Sequence, residues 1–305
     1  MEEEVARIAK IFQSEELERP VHSAEEVPGS YPAITDRWLT DVICSQAPEA
    51  QVIGHRFDVR DDGSSNRRRI FLEYNDAGVS AGLPATVFCK AAETLNNRLV
   101  TGLSRAAQIE ADFYNLVRDR LDCEAPQGIY AKFDTSNYAS LIMLGDLENN
   151  VSFCDDRTEV TRAMAEEQIL TLANLHSRFY ESEELGSKSL PFLTWPKWWA
   201  RMMAASPDFA DCCDAAFGES EDNMAPRLLA RRHEIWGVTM ESVERHNRLP
   251  QTLIHGDVHL KNWYHSDSGA MGLSDWQITS VGHWSRDLIY TITTALTVEN
   301  RRAWE

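Results

Sequence analysis

The chain has 305 residues, 43% apolar and 26% charged, the balance of a folded protein long enough for two cores that share a cleft. Its 30 Lys and Arg against 48 Asp and Glu give a formal charge of -18, which disfavours polyanions and excludes nucleic acid as an expected partner. The acidic start Met1-Glu2-Glu3-Glu4 and the lack of an apolar run of about 18 residues read as neither a secretory leader nor a membrane span, so a cytoplasmic location is expected.

From the N-terminus, Val5, Ile8, Ile11 and Phe12 predict a helix over 3–17, and Trp38, Leu39, Val42 and Ile43 a second one starting near Thr35. Residues 1–50 thus read as a helical extension. Strand texture follows at 52–60, 69–74 and 85–91, broken by the turn-rich Asp61-Asp62-Gly63-Ser64-Ser65-Asn66 and by 75–84, which suggests an antiparallel sheet. Ser104 is placed to cap a helix reaching Leu121, and Glu110 shares its inward face with Phe113 and Val117. Strands at 128–132 and 139–144 lead into a connector at 145–149, giving an N-terminal lobe over 51–144 and a C-terminal lobe over 150–305.

The C-terminal lobe reads as mainly helical. A helix over 158–180 carries Met164, Ile169, Leu172, Leu175 and Phe179 at core spacing, with Asp156 and Glu159 as a capping box. Short helices and loops with a Trp195, Trp198, Trp199 cluster follow, then a helix near 227–245. The cysteines (Cys44, Cys89, Cys123, Cys154, Cys212, Cys213) lack CxxC spacing and read as reduced thiols. The run Arg67-Arg68-Arg69 reads as a solvated turn, and His255 with His259 as structural residues rather than zinc ligands.

Chemistry concentrates in residues 250–287. A short apolar run delivers His255-Gly256-Asp257 to a loop, and a hairpin framed by Trp263-Tyr264 and Gly272-Leu273 ends at Asp275. Phosphoryl transfer needs a carboxylate to orient and deprotonate an acceptor hydroxyl, and oxygen ligands for Mg²⁺ beside the nucleotide phosphates. Asp257 supplies the first, Asn262 and Asp275 the second. Upstream, Lys90 is a lone lysine within an apolar strand.

The segment His255-Gly256-Asp257-Val258-His259-Leu260-Lys261-Asn262 resembles the HGDxHxxN catalytic loop of the aminoglycoside phosphotransferase and choline-kinase-like families. Leu273-Ser274-Asp275-Trp276-Gln277 is similar to their metal-binding segment, Asp287-Leu288-Ile289-Tyr290 to the segment that follows, and Leu172-Ala173-Asn174-Leu175-His176 to a family helix. The resemblance spans roughly 50–300 and implies an α+β, two-lobed protein-kinase-like fold with ATP, or another nucleoside triphosphate, and Mg²⁺. It implies that Lys90 binds nucleotide phosphates, that Glu110 pairs with it, and that Met143, Leu144 and Gly145 form the strand and hinge that hold the base. The phosphate-covering turn falls at 61–68, where only Gly63 is present and Ser64, Ser65 or Arg67 takes the place of the missing glycines.

The function implied is transfer of the γ-phosphoryl group to a hydroxyl of a small molecule, in an acceptor pocket built from residues 181–245. Lys261 beside the catalytic loop is awkward for a polycationic aminoglycoside. Alternatives are an inactive kinase-like binding module or a protein kinase. Family members usually carry further C-terminal helices, so the sequence is expected to be short at that end. It leaves oligomeric state open.

Overall fold

The computed structural model describes residues 2–148 and 150–304, so position 149 of the expected connector lies outside the described residues. The N-terminal half opens with α1 (Glu2–Ser14), whose three first-turn glutamates sit at the positive end of the helix dipole. Helix α2 (Asp36–Ile43) starts where expected, with the Thr35 hydroxyl accepting from the Trp38 amide at 3.1 Å. Its buried stripe does not form a separate layer. Trp38, Leu39, Val42 and Ile43 pack against Val52, Ile70, Val87 and Cys89, so the extension is the rear wall of the sheet.

That sheet comprises β1 (Val52–Phe57), β2 (Asp61–Asp62), β3 (Asn66–Tyr74), β4 (Thr86–Ala91), β5 (Gly128–Phe133) and β6 (Ser140–Gly145), antiparallel in the order β1-β3-β4-β6-β5 with β2 on β3. Period-two alternation decides what faces the cleft. On β4, Val87 and Cys89 point into the rear core while Phe88 and Lys90 point forward, opposite Arg69 and Arg67 of β3. The arginine run is therefore a strand segment and not a solvated turn. Arg69 Nε lies 3.0 Å from Asp146, and Arg68 stacks over the Tyr31 ring at 5.4 Å.

Between 75 and 84 the chain forms a short helix, α3 (Asp76–Ser80). An unexpected helix, α4 (Leu95–Leu103), ends at Ser104 and Arg105 turns left-handed at φ 66°, so the helix expected from Ser104 to Leu121 is the shorter α5 (Ala106–Leu116). Ser104 is thus a terminator, its hydroxyl donating back to Val100 O at 2.6 Å. Arg98 of α4 is fully buried and ties the extension to the lobe, donating to Glu15, Gly29 O and Ala92 O.

After β7 (Val151–Phe153), helix α6 (Arg162–Arg178) begins later than the sequence suggests. Thr161 caps it by accepting from Met164 N, whereas Asp155 and Thr158 form a separate turn, so no Asp156–Glu159 box exists. Helices α7 (Trp195–Ala205), α8 (Phe209–Glu219), α9 (Pro226–Leu229) and α10 (Arg232–Arg245) form the intervening layer, with Trp195 and Trp198 stacked at 5.1 Å. The end of the chain holds β8 (Thr252–Ile254), β9 (Trp263–Ser266), β10 (Met271–Leu273), β11 (Ser280–Gly282), α11 (Ser285–Ala295) and α12 (Val298–Trp304). One apolar core crosses between the lobes: Phe113 of α5 stacks on Trp276 with ring centroids 3.8 Å apart and planes 7° from parallel. No described helix is long and apolar enough to cross a membrane.

Candidate active site

Strand β4 and helix α5 meet at Lys90, whose ammonium lies 2.7 Å from Glu110 Oε1 and 2.9 Å from Asp275 Oδ1. Glu110 is only 2% exposed, as its inward-facing helix position predicts. Burial pushes the Lys90 pKa down, but the carboxylates of Asp275 and Glu110 outweigh it and the net shift is upward. For Glu110 burial wins over the ammonium and raises the carboxyl, whereas at Asp275 Lys90 outweighs partial desolvation and lowers it. The lysine is therefore a fixed cation, and Asp275, with 42% of its side chain exposed, faces the cleft as an anion.

Asp275 reaches that position at a cost in backbone strain, with φ of 62° in the left-handed region that residues other than glycine adopt uncommonly, aspartate more readily than most. Local bonds hold it there. Ser274 donates its amide (2.8 Å) and hydroxyl (3.0 Å) to Asn262 O, and His255 Nε2 lies 3.0 Å from Ser274 O. His255 Nδ1 in turn accepts from the Asp257 amide at 3.1 Å. The histidine thus ties the Asp257 loop to the Asp275 loop, and no metal role is needed for it.

Asn262 donates from Nδ2 to Asp257 O at 2.7 Å, which leaves its side-chain Oδ1 available for other work. Asp257 itself is lightly held, with Tyr290 Oη 3.3 Å from Oδ1 and His259 Nε2 3.6 Å from Oδ2. Before it, Gly256 has φ of 84°, a left-handed turn that a Cβ would both strain and drive into Ile278 at 2.9 Å.

A cavity of about 290 Å³ runs beneath the sheet and brings together Lys90, Glu110, Ser64, Ser65, Leu144, Gly145, Asn262 and Asp275. Met143 is not among these. Its side chain is fully buried in the rear core beside Cys89, one residue out of phase with the cleft face. Lys261 also lines the cavity, with Asp156 at 3.8 Å. Phe88, Pro126, Leu147 and Phe153 add apolar walls, and Arg67 and Arg69 add cations.

Three contributors escaped the sequence reading. Asp287, wholly buried, accepts from His255 N at 2.7 Å and Gly256 N at 2.9 Å and pairs with His176 Nε2 at 3.0 Å. Burial opposes its charge, yet His176 and the amides hold its pKa below the usual value. Asn97 of α4 donates from Nδ2 to both Gly63 O and Ser64 O at 2.9 Å, pinning a turn whose one glycine is Gly63. Gln277 donates to Glu110 Oε2 at 3.3 Å. A signal existed for Asp287, in the segment Asp287-Leu288-Ile289-Tyr290, and for Gln277, at the end of Leu273-Ser274-Asp275-Trp276-Gln277, but not for Asn97.

Residues 98–305 match the family model described as a phosphotransferase enzyme family, APH. None of the curated proteins searched matches the sequence. Solved structures similar to this chain include the GDP and kanamycin complex of APH(2")-IIia, at 12% identity and a TM-score of 0.48 over 87% of this chain and 82% of that one. The choline kinase LicA from Streptococcus pneumoniae is similar at 12% identity and a TM-score of 0.46, over 87% of this chain and 77% of the other. The macrolide 2'-phosphotransferase MphH from Brachybacterium faecium is similar at 15% identity and a TM-score of 0.45, over 86% and 80%.

Proposed function

Since the chain belongs to the phosphotransferase enzyme family and has its two-lobed, protein-kinase-like α+β fold, we propose that it transfers the γ-phosphoryl group of ATP, or of another nucleoside triphosphate, to a hydroxyl of a small molecule. The observation that carries this reading is the meeting of Lys90, Glu110, Asn262 and Asp275 around one cavity, with Asp257 one hydrogen bond away through Asn262. An inactive binding module has no need for a buried Lys–Glu pair or for a strained aspartate aimed into the cleft.

In this mechanism Lys90, held by Glu110, binds the α- and β-phosphates, and the turn at Ser64 and Ser65 covers them. The oxygen donors of Asn262 and Asp275 suit a hard cation, and Mg²⁺ held there would neutralise phosphate charge. Asp257 orients the acceptor hydroxyl in line and takes its proton. The acceptor oxygen then bonds to the γ-phosphorus as the bond to the β–γ bridging oxygen breaks, and the nucleoside diphosphate leaves. Asp257→Ala lowers kcat by about 10² to 10⁴ and leaves the ATP·Mg thermal shift in place. Asp275→Ala loses that shift. Wild-type turnover in the first variant, or wild-type nucleotide binding in the second, contradicts the assignment.

A further inference from the structure

Beyond the tip of the phosphate-covering turn lies a second cavity, of about 370 Å³, which shares Ser64 and Gln277 with the first. Its walls come from the end of α4, the start of α5, α7 and the segment after Trp276, with Leu99, Leu103, Trp198, Met202, Ala205 and Ile278 as the apolar surface. A Cβ built on Gly256, the residue before Asp257, would stand 2.9 Å from Ile278 Cγ2 and from Ile278 O, so the Ile278 wall lies close to the loop of Asp257. The Ser64–Gln277 end is where this cavity meets the first.

The chemistry of the walls is selective. Among the described residues, none lining this cavity is ionisable, and Trp198 is the only aromatic. Two of the hydroxyls are already engaged with helix backbone, Thr101 on Asn97 O at 2.7 Å and Ser104 on Val100 O at 2.6 Å, which leaves few polar groups for a ligand. At the corner between α4 and α7, Arg201 Nε donates to Leu103 O at 2.6 Å. Burial and nearby Arg105 lower the pKa of that guanidinium, while Tyr138 and Glu4 act in the opposite direction. An ammonium ligand would lose its water and find no carboxylate or aromatic cage among the lining residues. The volume corresponds to about a dozen groups at roughly 30 Å³ each.

Resting on the phosphotransferase reading, we propose that this cavity is the acceptor site and that it takes an uncharged, largely apolar alcohol of terpenoid size rather than an aminoglycoside or a choline-like amine. The test incubates the wild-type protein with γ-labelled ATP and Mg²⁺ and offers farnesol, borneol, kanamycin or choline in turn. Label is expected on farnesol or borneol and not on the two amines. Filling the cavity with Met202→Trp, or more gently with Ala205→Val should the first variant misfold, is expected to raise the KM for the labelled alcohol, about tenfold for the tryptophan.

Label on kanamycin or choline alone overturns the proposal and leaves the phosphotransferase reading standing. So does an ATP·Mg thermal shift in a protein that neither labels nor is further shifted by either alcohol. Loss of the ATP·Mg shift in the wild type defeats both together. An unchanged KM in folded Met202→Trp places the alcohol elsewhere and also overturns the proposal.

Discussion

Asp287→Asn probes the buried link behind the catalytic loop, and the loss it causes can be worked from the contacts. In the wild type one carboxylate oxygen serves His176 and the His255 amide, at 3.0 and 2.7 Å, and the other serves the Gly256 amide at 2.9 Å. An asparagine has one acceptor and one donor end, so whichever way it turns, at least one backbone N–H faces an NH₂ group. An unsatisfied buried donor costs about 1 to 3 kcal/mol, and turning the remaining charged bonds into neutral ones removes about 1 kcal/mol each. The sum is about 3 to 5 kcal/mol, a large fraction of the roughly 5 to 15 kcal/mol that holds a typical protein folded. Urea unfolding followed by tryptophan fluorescence measures it, and a kcat lowered at least tenfold in the folded fraction is expected because Gly256 positions Asp257. A variant as stable and as active as the wild type would refute the assignment of Asp287 as the anchor of this loop.

Other substitutions test separate parts. Asn97→Leu removes two donors from the turn at Gly63 and Ser64, so the KM for nucleotide should rise about five- to tenfold while kcat moves little. Initial-rate kinetics over a range of ATP concentrations separates the two parameters. His246 is buried and its pKa is lowered to about 4, chiefly by burial. Below its unfolded pKa near 6.5 the unfolded chain takes up the proton first, so stability is complete above that pH. It falls by about 3 kcal/mol as the pH drops toward 4. Urea midpoints between pH 7 and 4 should show this slope, flattened in His246→Asn, whose carbonyl can still accept from His283 N.

The site residues that the sequence discloses are those whose meaning is local. Asp257 and Asn262 lie five positions apart on one loop, Asp275 ends the next hairpin, and Glu110 follows from helical phase. Lys90 stands out because a cation in an apolar strand needs a reason. The failures have an equally physical basis. Strand β6 is buried on both faces, so its residues show no alternation and Met143 could not be assigned to the rear. Helix α4 hides because Asn97 and Arg98 look like surface residues until their distant partners Gly63, Ser64 and Glu15 are known. Serine and threonine can begin a helix or end one, and at Ser104 and Thr161 only the packed structure decides.

The flat pairing of Phe113 with Trp276 bears on how such a protein can change its chemistry over time. Because the rings fasten the helix of Glu110 to the loop of Asp275, phosphate handling forms one mechanical unit in which neither partner can be resized alone. The second cavity meets that unit at Ala106, Gln277 and Ile278, while Leu99, Leu103, Trp198, Met202 and Ala205 stand on α4 and α7, outside it. The side chains on α4 and α7 are therefore open to exchange one at a time, and under the proposed function new acceptors could be recruited there without retuning the donor half.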